Sequence, residues 1–548
     1  MSTWNRGTAG GQNNNQSLKT IPSLVDAAAK EYGQATALEE DGLSLSFAEL
    51  ARAGRDAARA FMAAGVKHGD RVAIWAPNSC RWVVAAIGAQ SVGAVLVPLN
   101  TRFKGAEAGY ILEKSRARLL ITVEEFLGTR YLDLLTGAMT GAGSGPVPGL
   151  PGLESVVLLS GQAAGAGNWE DFIARAAEVS DDEAATRAGA VGEDDLSDIM
   201  FTSGTTGKPK GAMCCHGQNI RAFESWSEVV GLKAGDRYLV VNPFFHSFGY
   251  KAGWLSSLIR GATVLPHPVF DVPAVLRRVG EEKISVLPGP PALYQSILAH
   301  PDLEKYDLSC LRLSVTGAAA IPVELIHRMR RELNFETIIT GYGLTEVCGI
   351  ATMCRYDDDP ETIATTSGRA IDGVEVWCVD DQGREVPRGE SGEIVIRGYN
   401  VMRGYFDDNQ ATTDTIDDSG WLHSGDVGVM DERGYIKITD RIKDMFIVGG
   451  FNCYPAEIES LMVANQSIAQ VAVIGIPDSR MGEVGMAFVV AAAGEDLSPE
   501  GVVAWCRETM ANYKVPRRGE IVDDLPRNAT GKVVKGVLRG EVDNVYEE

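Results

Sequence analysis

Thr202-Ser203-Gly204-Thr205-Thr206-Gly207-Lys208-Pro209-Lys210-Gly211 gathers four hydroxyls, three glycines and two lysines in one short stretch. Glycines let backbone N–H groups approach phosphate oxygens, hydroxyls donate hydrogen bonds or reach a metal, and lysine adds charge. The stretch therefore suits a triphosphate. The ordinary P-loop does not fit it. That pattern places four residues between its first Gly and a Gly-Lys-Ser/Thr that opens a helix, whereas two residues separate Gly204 from Gly207 and Pro209 follows Lys208. A surface turn has a similar composition, because Gly and Thr are common turn residues, so context decides. The preceding apolar residues 198–201 read as a strand, which puts the loop at a strand's carboxyl end, where α/β sheets hold ligands.

The chain has 548 residues, more than one hydrophobic core usually serves, so two or more domains are expected. Residues 82–97 form an apolar run broken by Gln90, Ser91 and Gly93 and stopped by Pro98, which predicts a buried helix and strand rather than a membrane span. No integral membrane association is expected. Residues 1–19 are rich in Asn, Gly and Ser and lack the apolar centre of a secretory signal, so they read as a loose tail and the location as cytoplasmic. Nine cysteines show no Cys-x-x-Cys pair and no zinc-type histidine spacing, which predicts reduced thiols and no structural metal. A net charge of -22 argues against nucleic acid as a partner, because the summed field repels polyanions. Small anions are less affected, since charge is screened over about 8 Å at physiological salt.

From about 23 to 130, helix-like stretches such as 50–64 alternate with short apolar strands at 71–75 and 94–98, the pattern of a parallel sheet flanked by helices. Residues 137–152 are rich in Gly and Pro and read as a surface connection. Alternation resumes with strands at 199–202, 238–242, 263–265 and 286–287 and helices at 249–259 and 272–282. The fold class is thus α/β, with doubly wound sheets. Strands at 374–379, 392–397 and 434–439 predict a compact β unit. After residue 440, helices at 455–463 and 499–510 and strands at 470–476 and 485–493 predict a small α+β domain. The expected division is a tail over 1–20, a large N-terminal domain over 21–440 and a mobile C-terminal domain over 441–548.

A second glycine-rich turn, Gly341-Tyr342-Gly343-Leu344-Thr345-Glu346, lacks the third glycine of a dinucleotide fingerprint. Its hydroxyl beside a carboxylate can hold phosphate and magnesium together, since magnesium takes one or two carboxylates plus phosphate oxygens. Taken alone, Glu346 reads as a solvated acid. Three further runs follow in order: Gly420-Trp421-Leu422-His423-Ser424-Gly425-Asp426, Thr439-Asp440-Arg441-Ile442-Lys443-Asp444, and Pro526-Arg527-Asn528-Ala529-Thr530-Gly531-Lys532. Each is weak singly. As an ordered set they resemble the adenylate-forming superfamily of acyl-CoA synthetases, luciferases and amino-acid adenylation domains, over roughly residues 20 to 540.

That resemblance implies ATP, magnesium and coenzyme A, with roles carried residue by residue. Thr202, Ser203, Gly204, Thr205, Thr206, Gly207 and Lys208 would hold the triphosphate. Gly341, Tyr342 and Gly343 would bind adenine, Tyr342 by stacking, while Thr345 contacts the α-phosphate and Glu346, with Thr202, binds magnesium. Gly317, Ala318 and Ala319 look like the small-residue strip beside adenine and acyl group. Asp426 matches the carboxylate that accepts the ribose hydroxyls, and Arg441 a ribose or phosphate contact. Lys443 aligns with a hinge, and Gly449, Gly450 and Phe451 resemble the loop that passes the CoA thiol. His246 stands where the family places a gate between acyl pocket and thiol tunnel, although a hydrogen-bonded core histidine is the plain alternative. Phe248, Tyr250, Trp254 and Gly289 complete the expected acyl pocket.

The run 244–249 has no acid to pair with an α-ammonium, which disfavours an amino-acid substrate. Residues 242–254 and 287–291 resemble actinobacterial CoA ligases that act on the bicyclic propanoate left by steroid ring cleavage; an arylpropanoate or a medium- or long-chain fatty acid stays open, because one methylene changes such binding by only about 1 to 3 kcal/mol. The resemblance implies an acid:CoA ligase working through an acyl-adenylate; the sequence leaves the oligomeric state open, a homodimer included. A carrier-protein acceptor and a non-catalytic nucleotide-binding protein are the rivals. Lys532 matches the mobile lysine that reaches the carboxylate and α-phosphate, where a preplaced cation stabilises gathering negative charge. Lys532→Ala should therefore lower adenylation by roughly 100- to 1000-fold while sparing thioester formation from supplied acyl-adenylate. Equal losses in the two half-reactions would contradict the assignment.

Overall fold

The strand Leu196–Thr202 runs antiparallel to Lys210–Cys215, with Thr202 opposite Lys210, so the quoted loop joins the two arms of a hairpin. On its other side Leu196–Thr202 lies parallel to Val95–Pro98, and the sheet continues in parallel through Arg71–Trp75, Ala117–Thr122, Ser155–Leu158 and Gly167–Asn168. These short strands are apolar on both faces, as expected where helices cover both sides. In this computed structural model, residues 19–139, 145–202, 209–317, 321–441, 444–448, 451–478, 480–510, 512–527 and 533–546 are described.

Most predicted helices and strands are present with shifted ends, but residues 286–287, read as a strand, make only single bridges at Val286. The predicted helix 50–64 is Phe47–Ala63, which begins at a capping box: Ser46 Oγ accepts from the Glu49 amide at 3.2 Å and the Glu49 carboxylate accepts from the Ser46 amide at 2.9 Å. The apolar run 82–97 divides into helix Cys80–Ser91 and strand Val95–Pro98. No helix among the described residues is long and apolar enough to cross a membrane.

A second sheet contains Leu43–Ser46, Thr36–Glu40, Thr263–Pro266 and Arg237–Val240. Single bridges from Tyr238 to Val286 and from Val286 to Leu313 join it to Leu313–Gly317, Thr337–Tyr342, Thr352–Met353 and Arg369–Ala370. Gly317 and Gly341 are register partners on neighbouring parallel strands. The β unit is an antiparallel sheet of Val374–Val379, Ser391–Gly398, Leu422–Met430 and Ile436–Arg441. One buried core unites both large sheets and this unit.

Residues 249–259, predicted as one helix, form three pieces: a turn Ser247–Gly249, a π-helical turn Tyr250–Leu255 and helix Ser256–Arg260. Wider π spacing disturbs the usual carbonyl ladder, and hydroxyls help restore it. Ser256 Oγ donates to the Lys251 carbonyl at 3.0 Å and Ser257 Oγ to the Gly253 carbonyl at 2.9 Å. Single-turn π segments recur at functional sites.

The C-terminal sheet orders Phe451–Cys453, Phe446–Val448, Gly482–Ala491 and Ile468–Asp478, with Arg518–Ile521 also against Gly482–Ala491. Period-two alternation gives it two cores. Ala472, Ile474, Ile476, Met486 and Phe488 pack with Leu538 and Val542 of helix Lys535–Tyr546, whereas Val473, Ala487 and Val489 face helices Pro455–Met462 and Pro499–Thr509. Asp440, at the end of the β unit, accepts from the Ala456 amide at 2.8 Å and so caps Pro455–Met462.

His216 and His267 are buried, and burial pushes each imidazole down to about 4. His216 Nδ1 accepts from the Ile21 amide at 3.2 Å, so the neutral ring is part of the fold. An unfolded chain protonates histidine near 6.5. Stability from these rings is therefore full above about 6.5 and is lost as pH falls from there toward about 4. The melting temperature should drop between pH 7 and pH 5, and His216→Asn should start lower but lose less over that window. An unchanged pH slope in the variant would contradict this.

Candidate active site

The hairpin does not stand alone at its open end. Residues 403–406 pair with the strand Lys210–Cys215: Arg403 N donates to Met213 O at 2.9 Å, Met213 N to Gly404 O at 3.0 Å and Phe406 N to Gly211 O at 2.8 Å. The next residue back, Met402, donates its amide to Glu346 O at 2.8 Å. Tyr405 OH donates to Glu346 Oε1 at 2.8 Å, and Lys210 Nζ lies 5.2 Å from the Tyr405 ring centroid. Burial, then the Glu346 carboxylate, raises the Tyr405 phenol well above its ordinary value, so it stays protonated and donates. A half-buried carboxylate, a lysine and the half-buried Thr202 hydroxyl are thus gathered at the loop's two ends.

Thr345 and Glu346 sit on a 3₁₀ turn, Thr345–Val347, that follows the strand Thr337–Tyr342. The turn is folded back tightly. A Cβ on Gly343 would stand 2.3 Å from Gly349 O, and Gly349, at φ +104°, would bring one to 2.8 Å from Ser247 Cβ. Both positions require glycine. The close approach of Gly349 to Ser247 sets the Thr345–Glu346 turn beside His246.

His246 caps the short turn Ser247–Gly249: its Nδ1 accepts from the Phe248 amide at 3.1 Å. Burial, then the charge of Lys251, pushes the imidazole down to about 4, so it is neutral near pH 7 with its proton on Nε2. His246 and Phe248 are half-buried. Asn78, not singled out from the sequence, holds the approach to them: its Nδ2 donates to Val240 O at 3.1 Å and Asn242 O at 2.9 Å, and its Oδ1 accepts from Phe244 N at 2.7 Å. Tyr250 and Trp254 have no exposed surface; their rings stack at 4.9 Å, with Trp82 packed against both. They form a second layer rather than a lining. Gly289 is buried and donates to Val315 O at 3.0 Å.

On the nucleotide side, Tyr342 OH donates to Asp426 Oδ2 at 2.6 Å, and both side chains are buried. Asp426 is the backbone register partner of Arg441 on the adjacent strand. Sequence distance hid these pairings, since Tyr342 and Asp426 belong to different sheets. Ser203, Gly204, Thr205, Thr206, Gly207, Lys208, Ala318, Ala319, Lys443, Gly449, Gly450 and Lys532 lie outside the described residues, as do the side chains of Arg441 and Phe451. Tyr405 was missed as the partner of Glu346, and Lys210 as a neighbour of the Tyr405 ring. The Gly404-Tyr405 step carries no signal by itself, because only the pairing of 403–406 with the hairpin gives it one.

These elements define a nucleotide-handling α/β enzyme, and comparison with known proteins fixes the family. Residues 25–406 match the AMP-binding enzyme family and residues 457–532 match the AMP-binding enzyme C-terminal domain. The chain belongs to the AMP-binding enzymes. It is 50% identical over 525 residues, 95% of this chain and 98% of the relative, to a 3-(7a-methyl-1,5-dioxo-octahydro-1H-inden-4-yl)propanoyl:CoA ligase of Rhodococcus jostii. A ligase of the same description from Mycobacterium tuberculosis is 47% identical over 522 residues, covering 95% and 99%. The crystal structure of an anthranilate CoA ligase in complex with anthranoyl-AMP aligns with a TM-score of 0.83 at 28% identity, covering 95% of this chain and 97% of that one. The protein is an AMP-forming acid:CoA ligase, as the resemblance implied.

Tyr405→Phe removes only the donor to Glu346 and keeps the ring. Loosening that carboxylate should lower kcat/KM for ATP by about tenfold, or ~1.4 kcal/mol, with the melting temperature nearly unchanged. Wild-type kcat/KM in a folded variant would show that the contact does not support the nucleotide site.

Proposed function

We propose that the ligase activates a bicyclic, ketone-bearing propanoic acid of the kind named for its relatives, using ATP and coenzyme A. The observation that carries this reading is 50% identity along 98% of the Rhodococcus relative. In the first step a carboxylate oxygen attacks the α-phosphorus and pyrophosphate leaves. In the second the CoA thiolate attacks the acyl carbonyl and AMP leaves. The charge near the acyl side supports an uncharged acyl body, because Lys251 and Asp198 already neutralise each other 3.0 Å apart, fully buried.

The roles are those that the family resemblance implies. Thr202 and the loop 203–208 hold the β- and γ-phosphates, helped by Lys210. Thr345 contacts the α-phosphate. Tyr342 stacks adenine, and Asp426, already engaged by the Tyr342 hydroxyl, accepts the ribose hydroxyls, with Arg441 beside it in register. His246 and Phe248 face the acyl group, with Tyr250 and Trp254 buried and Gly289 and Gly317 leaving room. A neutral His246 adds no charge beside the uncharged acyl body. Lys532 completes the adenylation arrangement, and rotation about Lys443 would exchange it for the 449–451 loop.

Magnesium fits the donors present. Among the described residues no three or more His, Cys, Asp and Glu side chains gather as a self-sufficient metal nest. Glu346 and Thr202 offer one carboxylate and one hydroxyl, which suits a cation that takes the rest of its shell from phosphate and water. When bound, it neutralises phosphate charge. The same reading sets the reaction in the cytoplasm.

The test is a panel containing the bicyclic dioxo-propanoate, an arylpropanoate, an anthranilate and medium- and long-chain fatty acids, followed by CoA-dependent AMP release. The bicyclic acid should give the highest kcat/KM, by at least about tenfold, near the limit of one or two apolar contacts. Preference for a fatty acid or arylpropanoate would overturn the substrate assignment, and AMP release independent of CoA would overturn the acceptor.

A further inference from the structure

We propose that Lys251, through its buried pair with Asp198, is a positioning residue that registers the acyl-pocket wall against the strand delivering the phosphate loop. The proposal rests on the pocket reading above, in which His246 and Phe248 face the acyl group.

Lys251 Nζ stands 3.0 Å from Asp198 Oδ1, and neither side chain has any exposed surface. The contact is charge against charge rather than an aligned hydrogen bond. Asp198 belongs to Leu196–Thr202, whose last residue opens the phosphate loop. Lys251 belongs to the π-helical turn that directly follows His246, Phe248 and Gly249. The ion pair thus joins the two elements that must present carboxylate and α-phosphate to each other.

The surroundings make the pair rigid. Asp198 Oδ2 accepts from Ser197 Oγ at 2.7 Å and from Asn219 Nδ2 at 2.5 Å. Gln90 Nε2 donates to Ser197 O at 3.1 Å and to the Tyr250 hydroxyl at 2.7 Å, tying the same strand to the same π turn a second time. On the far side, Cys214 Sγ lies 3.5 Å from Cys348 Sγ and 4.0 Å from Thr345 O, so the network also abuts the Thr345–Glu346 turn. Burial opposes charge on Lys251, but Asp198 with the two neighbouring thiols outweighs it and raises the ammonium above its ordinary value.

A core of this size has no need of such a pair for stability, because apolar residues of similar volume often serve as well or better. What the pair adds is direction: two charges in a dry interior hold one relative placement, where an aliphatic contact tolerates sliding. Near-attack alignment is sensitive to displacements of that order. Loss of alignment lowers kcat while each substrate still binds.

The experiment compares wild type with the charge-free double variant Lys251→Met/Asp198→Asn on whichever acid of the panel wild type adenylates, reading single-turnover acyl-adenylate formation, the KM for ATP and acid, and thermal melting. The expected result is a kcat for adenylation at least tenfold lower, with both KM values within threefold and a cooperative melt. Wild-type kcat with only the melting temperature changed would make the pair structural and overturn the proposal. If the double variant does not fold, Asp198→Glu and Lys251→Arg keep both charges but move them. Graded kcat loss in these variants, with KM preserved, supports positioning, and unchanged kcat overturns it. Phe248→Ala on the same panel tests the pocket separately: an unaltered acid preference refutes the pocket reading whatever the Lys251 variants do.

Discussion

The antiparallel pairing of Leu196–Thr202 with Lys210–Cys215 is the constraint from which the rest of the site follows. It ends the large sheet in a hairpin and fixes both ends of a loop rich in hydroxyl, glycine and lysine. Residues 403–406 then bridge the outer arm, which brings Met402 and Tyr405 onto Glu346. A turn from the second sheet is thereby anchored to the outer arm of the hairpin by backbone hydrogen bonds that leave little freedom. Close packing between Gly349 and Ser247 carries the same order across to His246.

This arrangement matches what a mixed anhydride demands. The intermediate is reactive toward water, and its formation needs a carboxylate and a polyphosphate, both anionic, in contact. Cationic and donor groups must therefore converge from separate elements, and the acyl body must be enclosed by apolar surface. Lys210, Thr202, Thr345 and Tyr342 come from two sheets, and Asp426 from a third. The C-terminal domain has its own two-sided core and meets the rest through contacts such as Asp440 with the helix Pro455–Met462. A unit with an independent core can move as a body without unfolding.

The fold class and family were legible because local pattern and short motifs carry them. Apolar strands between helical stretches announced the α/β sheets, and the run 82–97 divided into helix and strand where Gly93 breaks it. The π-helical turn was not legible. Residues 249–259 have helical composition, and the π turn holds contacts that composition does not announce: Lys251 meets Asp198, and serine hydroxyls bond its carbonyls. The pairings of Tyr405 with Glu346 and Tyr342 with Asp426 were also invisible, since each joins residues remote in the chain that only tertiary packing brings together. Tyr250 and Trp254 show the converse case: aromatic residues near a pocket motif read as lining, yet they have no exposed surface and pack against Trp82.

The most direct measurement is a rapid-quench reaction of enzyme, ATP, magnesium and the preferred acid without CoA, followed by mass spectrometry of the bound species. An acyl-adenylate should accumulate to about one per active site, with pyrophosphate in equal amount, and should pass wholly to acyl-CoA when CoA is added after ATP is removed. Acyl-CoA formed only while ATP is present, with no adenylate on the enzyme, would contradict the account.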